Sequence, residues 1–200
     1  MPRGTYLHVE EKVEERFQCA PGPGGWRYIG ERSDGRRVDL VVDARWRQIR
    51  VEVLAPGWWI RGGVTGYDVA WVRGAHSEDE AGEAAEHGAR AHGFLGESPG
   101  FLVTVARSLR LAEGGRADVR LVRLGGPALS ALTVAQRWRL GEITAYETET
   151  EPLPVARYEV VDLATGETDE IHIAGDVVVA APGVELTDLD SPPHLGDLGL

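Results

Sequence analysis

Two runs of alternating apolar and polar residues, 38–42 and 49–53, stand on either side of the segment Asp43-Ala44-Arg45-Trp46-Arg47. A period of two puts every second side chain on one face of a strand, so the pattern predicts two strands and excludes a helix. With Val42 opposite Ile49, Leu40 falls opposite Val51 and Val38 opposite Val53. All six apolar side chains then share one face, and residues 38–54 read as a hairpin with one buried side.

Much of the chain repeats this pattern. Residues 26–29, Trp-Arg-Tyr-Ile, read as a strand turned back by Ser33-Asp34-Gly35. After Pro56-Gly57 come Trp58-Trp59-Ile60, a break at Gly62-Gly63, and an aromatic-rich strand over 67–72. Ala117, Val119 and Leu121 alternate with Asp118 and Arg120, and Leu132, Val134, Trp138 and Leu140 share a face whose polar exception is Gln136. The alternation of Glu147, Glu149 and Glu151 marks a solvated edge. Residues 158–163, 171–174 and 177–181, separated by Ala164-Thr165-Gly166-Glu167 and Gly175-Asp176, form a meander.

Three stretches depart from it. Val9, Val13 and Phe17, four apart among acidic residues, fit a short amphipathic helix or an edge strand. Ser98 as N-cap and Pro99 at the first helical position predict a short helix over 101–109. The acidic, alanine-rich segment 76–93 reads as an insertion; Ser77 with Glu80 makes a capping box, predicting a helix over 78–87. Gly82 and Gly88 would each cost about 1 kcal/mol there, and an exposed insertion fits equally. The expected fold is mainly β: a single curled antiparallel sheet, a spiral β-roll or half-barrel, with one or two short helices. It forms one domain over 1–190, followed by a flexible tail, 191–200.

Charge narrows the partners. The formal net charge is −11, so the surface repels phosphate backbones and nucleic acid is an unsuitable partner. The cations are twenty arginines and one lysine, Lys12, and the cluster Arg45, Arg47 and Arg50 reads as solvated charge beside a turn, with an anion-binding role as the alternative. The N-terminal residues lack an apolar signal core and no later window spans a membrane, so a soluble cytoplasmic protein without a transmembrane segment is expected. Cys19 stands alone and reads as a small buried hydrophobe. His76, His87 and His92 have no metal-binding spacing, and neither metal nor cofactor is expected. Asp162, Glu170, His172 and Asp176 are polar positions that strand alternation alone explains.

Gly96-Glu97-Ser98-Pro99-Gly100 matches the G-x-S-x-G nucleophile elbow of α/β-hydrolases. The oxyanion hole of that elbow uses the N–H of the residue after the serine, and Pro99 has none. The segment before Ser98 is polar, without the buried strand an elbow requires, and no series of βα units is evident. The chain is therefore read as a non-enzyme, with a serine hydrolase built on Ser98 as a remote alternative.

Several short motifs together resemble the glycolipid-binding family of bacteria. They are Gly25-Trp26-Arg27, Asp43-Ala44-Arg45-Trp46-Arg47 leading into Arg50-Val51-Glu52-Val53, Ser98-Pro99 with Leu109-Arg110-Leu111, Pro127-Ala128-Leu129 with Gln136-Arg137-Trp138, and the stretch from Tyr158 to Pro182-Gly183. The resemblance spans most of the chain and implies a spiral β-roll related to lipoprotein carriers, with a lipid or glycolipid ligand. Independently, six tryptophans, Trp26, Trp46, Trp58, Trp59, Trp71 and Trp138, offer apolar area with a polar N–H, or else simply fill the core. The expectation is a non-catalytic protein binding an apolar or amphipathic small molecule on the concave face of its sheet. Trp46, Arg47, Trp59, Trp71 and Trp138 are the candidate ligand-binding residues. The alternative is a structural or interaction protein acting through sheet edges or its acidic segment.

Overall fold

The computed structural model describes residues 1–76, 84–148 and 151–195. Strands β1 (Arg3–His8), β2 (Val13–Gly22), β3 (Gly25–Arg32), β4 (Arg37–Asp43), β5 (Gln48–Ala55), β6 (Trp58–Thr65), β7 (Asp68–Ala75) and β8 (Ala84–Ala89) run as an antiparallel meander. After β9 (Gly93–Leu95) and helix α1 (Gly100–Leu109), a second meander follows: β10 (Arg116–Gly125), β11 (Ser130–Tyr146), β12 (Leu153–Asp162), β13 (Thr168–Ala174), β14 (Val177–Ala181) and β15 (Val184–Leu189). β15 pairs antiparallel with β1 and joins the two meanders into one fifteen-stranded sheet, with β8 and β9 at its edges. β9 pairs parallel with β10, as a strand–helix–strand connection requires.

Chain connectivity forces this sheet to curl. The two edge strands are consecutive, and the four Cα steps from Ala89 to Gly93 reach at most about 15 Å. Fourteen strand spacings laid flat would part the edges by roughly 65 Å. The sheet therefore rolls until its edges approach, yet β8 and β9 do not hydrogen-bond and the barrel stays open. The expected curled, mainly β architecture is what forms, with a single helix among the described residues.

The inside of the roll is filled. One continuous core runs from Tyr6, Phe17 and Tyr28 through Leu40, Val51 and Ile60 to Leu121, Trp138 and Ile173. α1 lies within it, buried along most of its length and packed against β3, β4, β9 and β14. The concave face is thus occupied by the protein's own helix.

The hairpin 38–54 forms as β4 and β5, with Val38 opposite Val53 and Leu40 opposite Val51. Its last predicted pair does not form: a bulge sets Val42 opposite Gln48, leaving Ile49 51% exposed while Gln48 is 4% exposed. The cause lies across the roll. The Gln48 amide donates from Nε2 to the Phe94 carbonyl at 3.0 Å and accepts from the Phe94 N–H at 2.6 Å, as a neighbouring strand would. It also donates to Thr104 Oγ1 at 2.6 Å. β9 has a strand on only one side, and this side chain satisfies its other backbone edge.

Other expectations change for local reasons. Residues 7–17 form a hairpin, β1 with β2, because Tyr6, His8, Glu15, Phe17 and Cys19 alternate inward. The Gly62-Gly63 break is instead the middle of β6; a side chain at Gly63 would come within 2.6 Å of the Ile49 carbonyl at the bulge. Of the helix predicted over 78–87, residues 84–87 belong to β8, an edge strand templated by β7, and 78–83 lie outside the described residues. β15 extends to Leu189 and Asp190 pairs with Arg3 at 3.2 Å; of the expected tail, the His194 amide donates to Asp176 Oδ1 at 2.8 Å, and residues 196–200 lie outside the described residues.

Candidate ligand-binding clefts

Trp46 sits on the β4–β5 turn in the left-handed backbone region, with φ of 62°. That conformation costs a bulky residue roughly 1–2 kcal/mol and persists only where neighbours impose it. Here Asp43 imposes it: Oδ1 accepts from the Arg45 and Arg47 amides, both at 2.9 Å, and Oδ2 accepts from Arg47 Nε at 2.8 Å. Partial burial opposes charge on Asp43, but these hydrogen bonds prevail and hold its pKa below the usual carboxylate value.

The result is an indole standing over an open cleft of about 410 Å³. Trp46 and Trp26 form one wall, their ring centroids 5.5 Å apart, with Pro21 and Pro23 of the β2–β3 turn beside them. At the base lies Asp176, from the β13–β14 turn, almost wholly buried. Its Oδ2 accepts from Trp26 Nε1 at 3.0 Å and its Oδ1 from the His194 amide at 2.8 Å. Burial pushes the Asp176 pKa up, and these two hydrogen bonds only partly offset that rise. Behind Trp26, the rings of Tyr28, Phe17 and Tyr6 follow at centroid spacings of 5.8, 6.0 and 4.5 Å, tying the cleft wall to the core. The cleft volume falls within the range of small-molecule sites, about 300–1,000 Å³.

The other face of the same turn borders a second cleft, of about 620 Å³. Arg45 and Arg47 line it together with Arg90, His92, Arg120, Val64, Val119 and Leu163. A third depression, of about 550 Å³ over β1 and β2, is lined by charges that include the Arg3–Asp190 and Arg37–Glu31 pairs.

The five residues singled out from the sequence are not brought to one place. Trp46 and Arg47 share a turn but face different clefts. Trp59 is half-buried, with the Arg61 guanidinium 5.6 Å from its ring centre. Trp71 is buried between His87, stacked at 5.4 Å, and Phe94, edge-on at 6.0 Å. Trp138 is 0% exposed, donates to Gln136 Oε1 at 3.1 Å and meets Tyr158 edge-on, so its surroundings are wholly core. Gln136, the polar interruption of that strand face, is buried as this indole's acceptor.

Asp176, His194 and Trp26 were not among the candidates. Alternation explains Asp176 as an ordinary polar position, yet it is buried at the cleft, whereas Asp162 and His172 are partly exposed and Glu170, 2.7 Å from His172, is exposed. The signal available was turn chemistry: the proline- and glycine-rich β2–β3 turn, the β4–β5 turn and Gly175-Asp176 all border one cleft.

Ser98 has a different setting from that expected. A buried strand, β9, does precede it and α1 does follow it, so the strand–turn–helix context is present. Yet Ser98 is only 2% exposed, and its hydroxyl bonds to Glu15 Oε1 and does not cap α1. Glu15 is itself fully buried, accepting also from Tyr28 at 2.6 Å and bonding His8 Nε2 at 2.7 Å through its other oxygen. Carboxylate, phenol, imidazole and hydroxyl thus satisfy one another inside the core. No group of three or more His, Cys, Asp or Glu is placed to hold a metal ion among the described residues, and no helix there is long and apolar enough to cross a membrane.

Fold and clefts together define an open β-roll with a filled interior and ligand-sized openings at its turns. No protein-family model matches the sequence. No curated protein matches it either. Among solved structures, a DUF1089 family protein from Pseudomonas aeruginosa is similar at 18% sequence identity, covering 86% of this chain and 84% of that one, with a TM-score of 0.47.

Proposed function

We propose that this chain is a non-catalytic binding protein that takes an amphipathic small molecule of the lipid or glycolipid class in the Trp26–Trp46 cleft. The observation that carries the reading is Trp46 itself. A large aromatic ring is held in a strained backbone conformation, clamped by Asp43, beside a second indole and above a buried carboxylate. Strain maintained against its own cost is expected where a side chain must be presented for contact. The open face of the Trp46 indole, backed by the buried Trp26 ring, suits an alkyl chain or the apolar face of a sugar ring, while the remaining lone pairs of Asp176 accept hydroxyl donors.

The reading relocates the ligand from the concave face to the rim, because α1 and the core fill the inside. Titration with octyl glucoside, followed by tryptophan fluorescence, tests it. Saturable binding that Trp46→Ala weakens at least about tenfold is expected, since one aromatic contact is worth about 1–3 kcal/mol. Absence of saturable binding, or equal binding by the variant, would remove the cleft from consideration.

A further inference from the structure

On a chain with a net charge of −11, four arginines converge on the second cleft: Arg45 and Arg47 from the β4–β5 turn, Arg90 from the β8–β9 connection and Arg120 from β10. The acid among the lining residues, Asp118, is already held by Arg137 in a two-point pair at 2.7 and 2.8 Å. Arg47 is likewise held by Asp43. Arg45, Arg90 and Arg120 make no ion pair among the described residues, although the surface carries acids in excess and many other arginines are paired. Three exposed guanidinium groups without an ion pair, from separate elements, line one cleft, an arrangement that an anion would neutralise.

The rest of the lining is apolar. Val64, Val119, Ala91, Ala135 and Leu163 contribute to the wall, and Tyr67, 84% exposed on the β6–β7 turn, stands at the rim. His92 adds no free donor from Nε2: Ser108 spends its hydroxyl proton on the Val105 carbonyl at 2.7 Å, so the imidazole donates to Ser108 Oγ at 2.9 Å. The charged recognition in this cleft therefore falls to the arginines.

We infer that this cleft is a second binding site, distinct from the Trp46 cleft, for an anionic amphiphile whose phosphate headgroup lies among Arg45, Arg90 and Arg120 and whose apolar body lies on Val64, Val119 and Leu163. A phosphate monoester suits three free cations better than a singly charged carboxylate does.

Isothermal titration with octyl phosphate below its micelle concentration, inorganic phosphate and octyl glucoside tests the site on the full chain. One equivalent of octyl phosphate is expected to bind more tightly as salt is lowered. Arg90→Ala combined with Arg120→Ala should weaken it at least about tenfold, as the loss of charge-assisted hydrogen bonds does. Both side chains are exposed, and an unchanged thermal melt will show that the variant folds. Arg120→Glu provides the second variant and should weaken binding at least as much. Trp46→Ala should leave octyl phosphate binding intact while weakening that of octyl glucoside at least about tenfold, so the two sites fail or stand separately. Inorganic phosphate binding as tightly as octyl phosphate would overturn the amphiphile in favour of a free phosphate ligand. Absence of binding, or binding indifferent to the arginines, would overturn the site.

Discussion

At the scale of single residues, Trp46 separates packing from presentation. A tryptophan kept for stability would occupy a relaxed conformation inside the core, as Trp138 does. Trp46 is only partly buried, packed against the margin of the core, and left-handed, so its ring keeps an open face while its backbone carries strain. Trp46→Gly relieves that strain and adds chain entropy to the unfolded state, two effects of similar size and opposite sign. The ring's partial packing on the core then sets the net change, a destabilisation of about 1–2 kcal/mol in urea denaturation, with octyl glucoside binding weakened at least about tenfold. A loss of about 3 kcal/mol or more, typical of deleting a core aromatic, would show that the ring is scaffold. The sequence made the residue conspicuous but not its conformation, which depends on Asp43 accepting from two backbone amides of the turn. Arg47, adjacent in sequence, faces the other cleft for the same local reason.

At the scale of elements, the β4–β5 hairpin shows which information is local. Periodicity is enough to set Val38 opposite Val53 and Leu40 opposite Val51. It cannot reveal that Gln48 turns inward, because the partner responsible is the backbone of Phe94, 46 residues away. Gln48→Ala removes both hydrogen bonds to β9 and leaves a buried N–H and C=O unpaired, so it should destabilise the protein by about 2–4 kcal/mol in urea denaturation. A change below about 0.5 kcal/mol would mean that β9 does not depend on this contact. The helix over 100–109 was legible because its boundaries carry Pro99 and an apolar face, but Ser98's bond to buried Glu15 was not, since those residues are distant in sequence. β8 was illegible for a different reason. Ala, Glu and His have no strand pattern of their own, and pairing with β7 decides their conformation.

At the scale of the whole molecule, a chain of short strands and tight turns announced a curled sheet, and the brief link between β8 and β9 forces the curl. What composition could not show is what fills the roll. Phe101, Val103 and Val105 of α1, placed inside, convert an expected concave binding face into core, and the openings shift to the turns at the rim. With the inside filled, the proposed amphipathic ligand sits at the rim against Trp46. Native mass spectrometry of the purified protein, before and after addition of octyl glucoside, tests it most directly. One amphiphile retained per chain, and its loss in Trp46→Ala, is the expected result; a chain that stays unliganded under both conditions, or a variant that retains the ligand equally, would rule out the rim site.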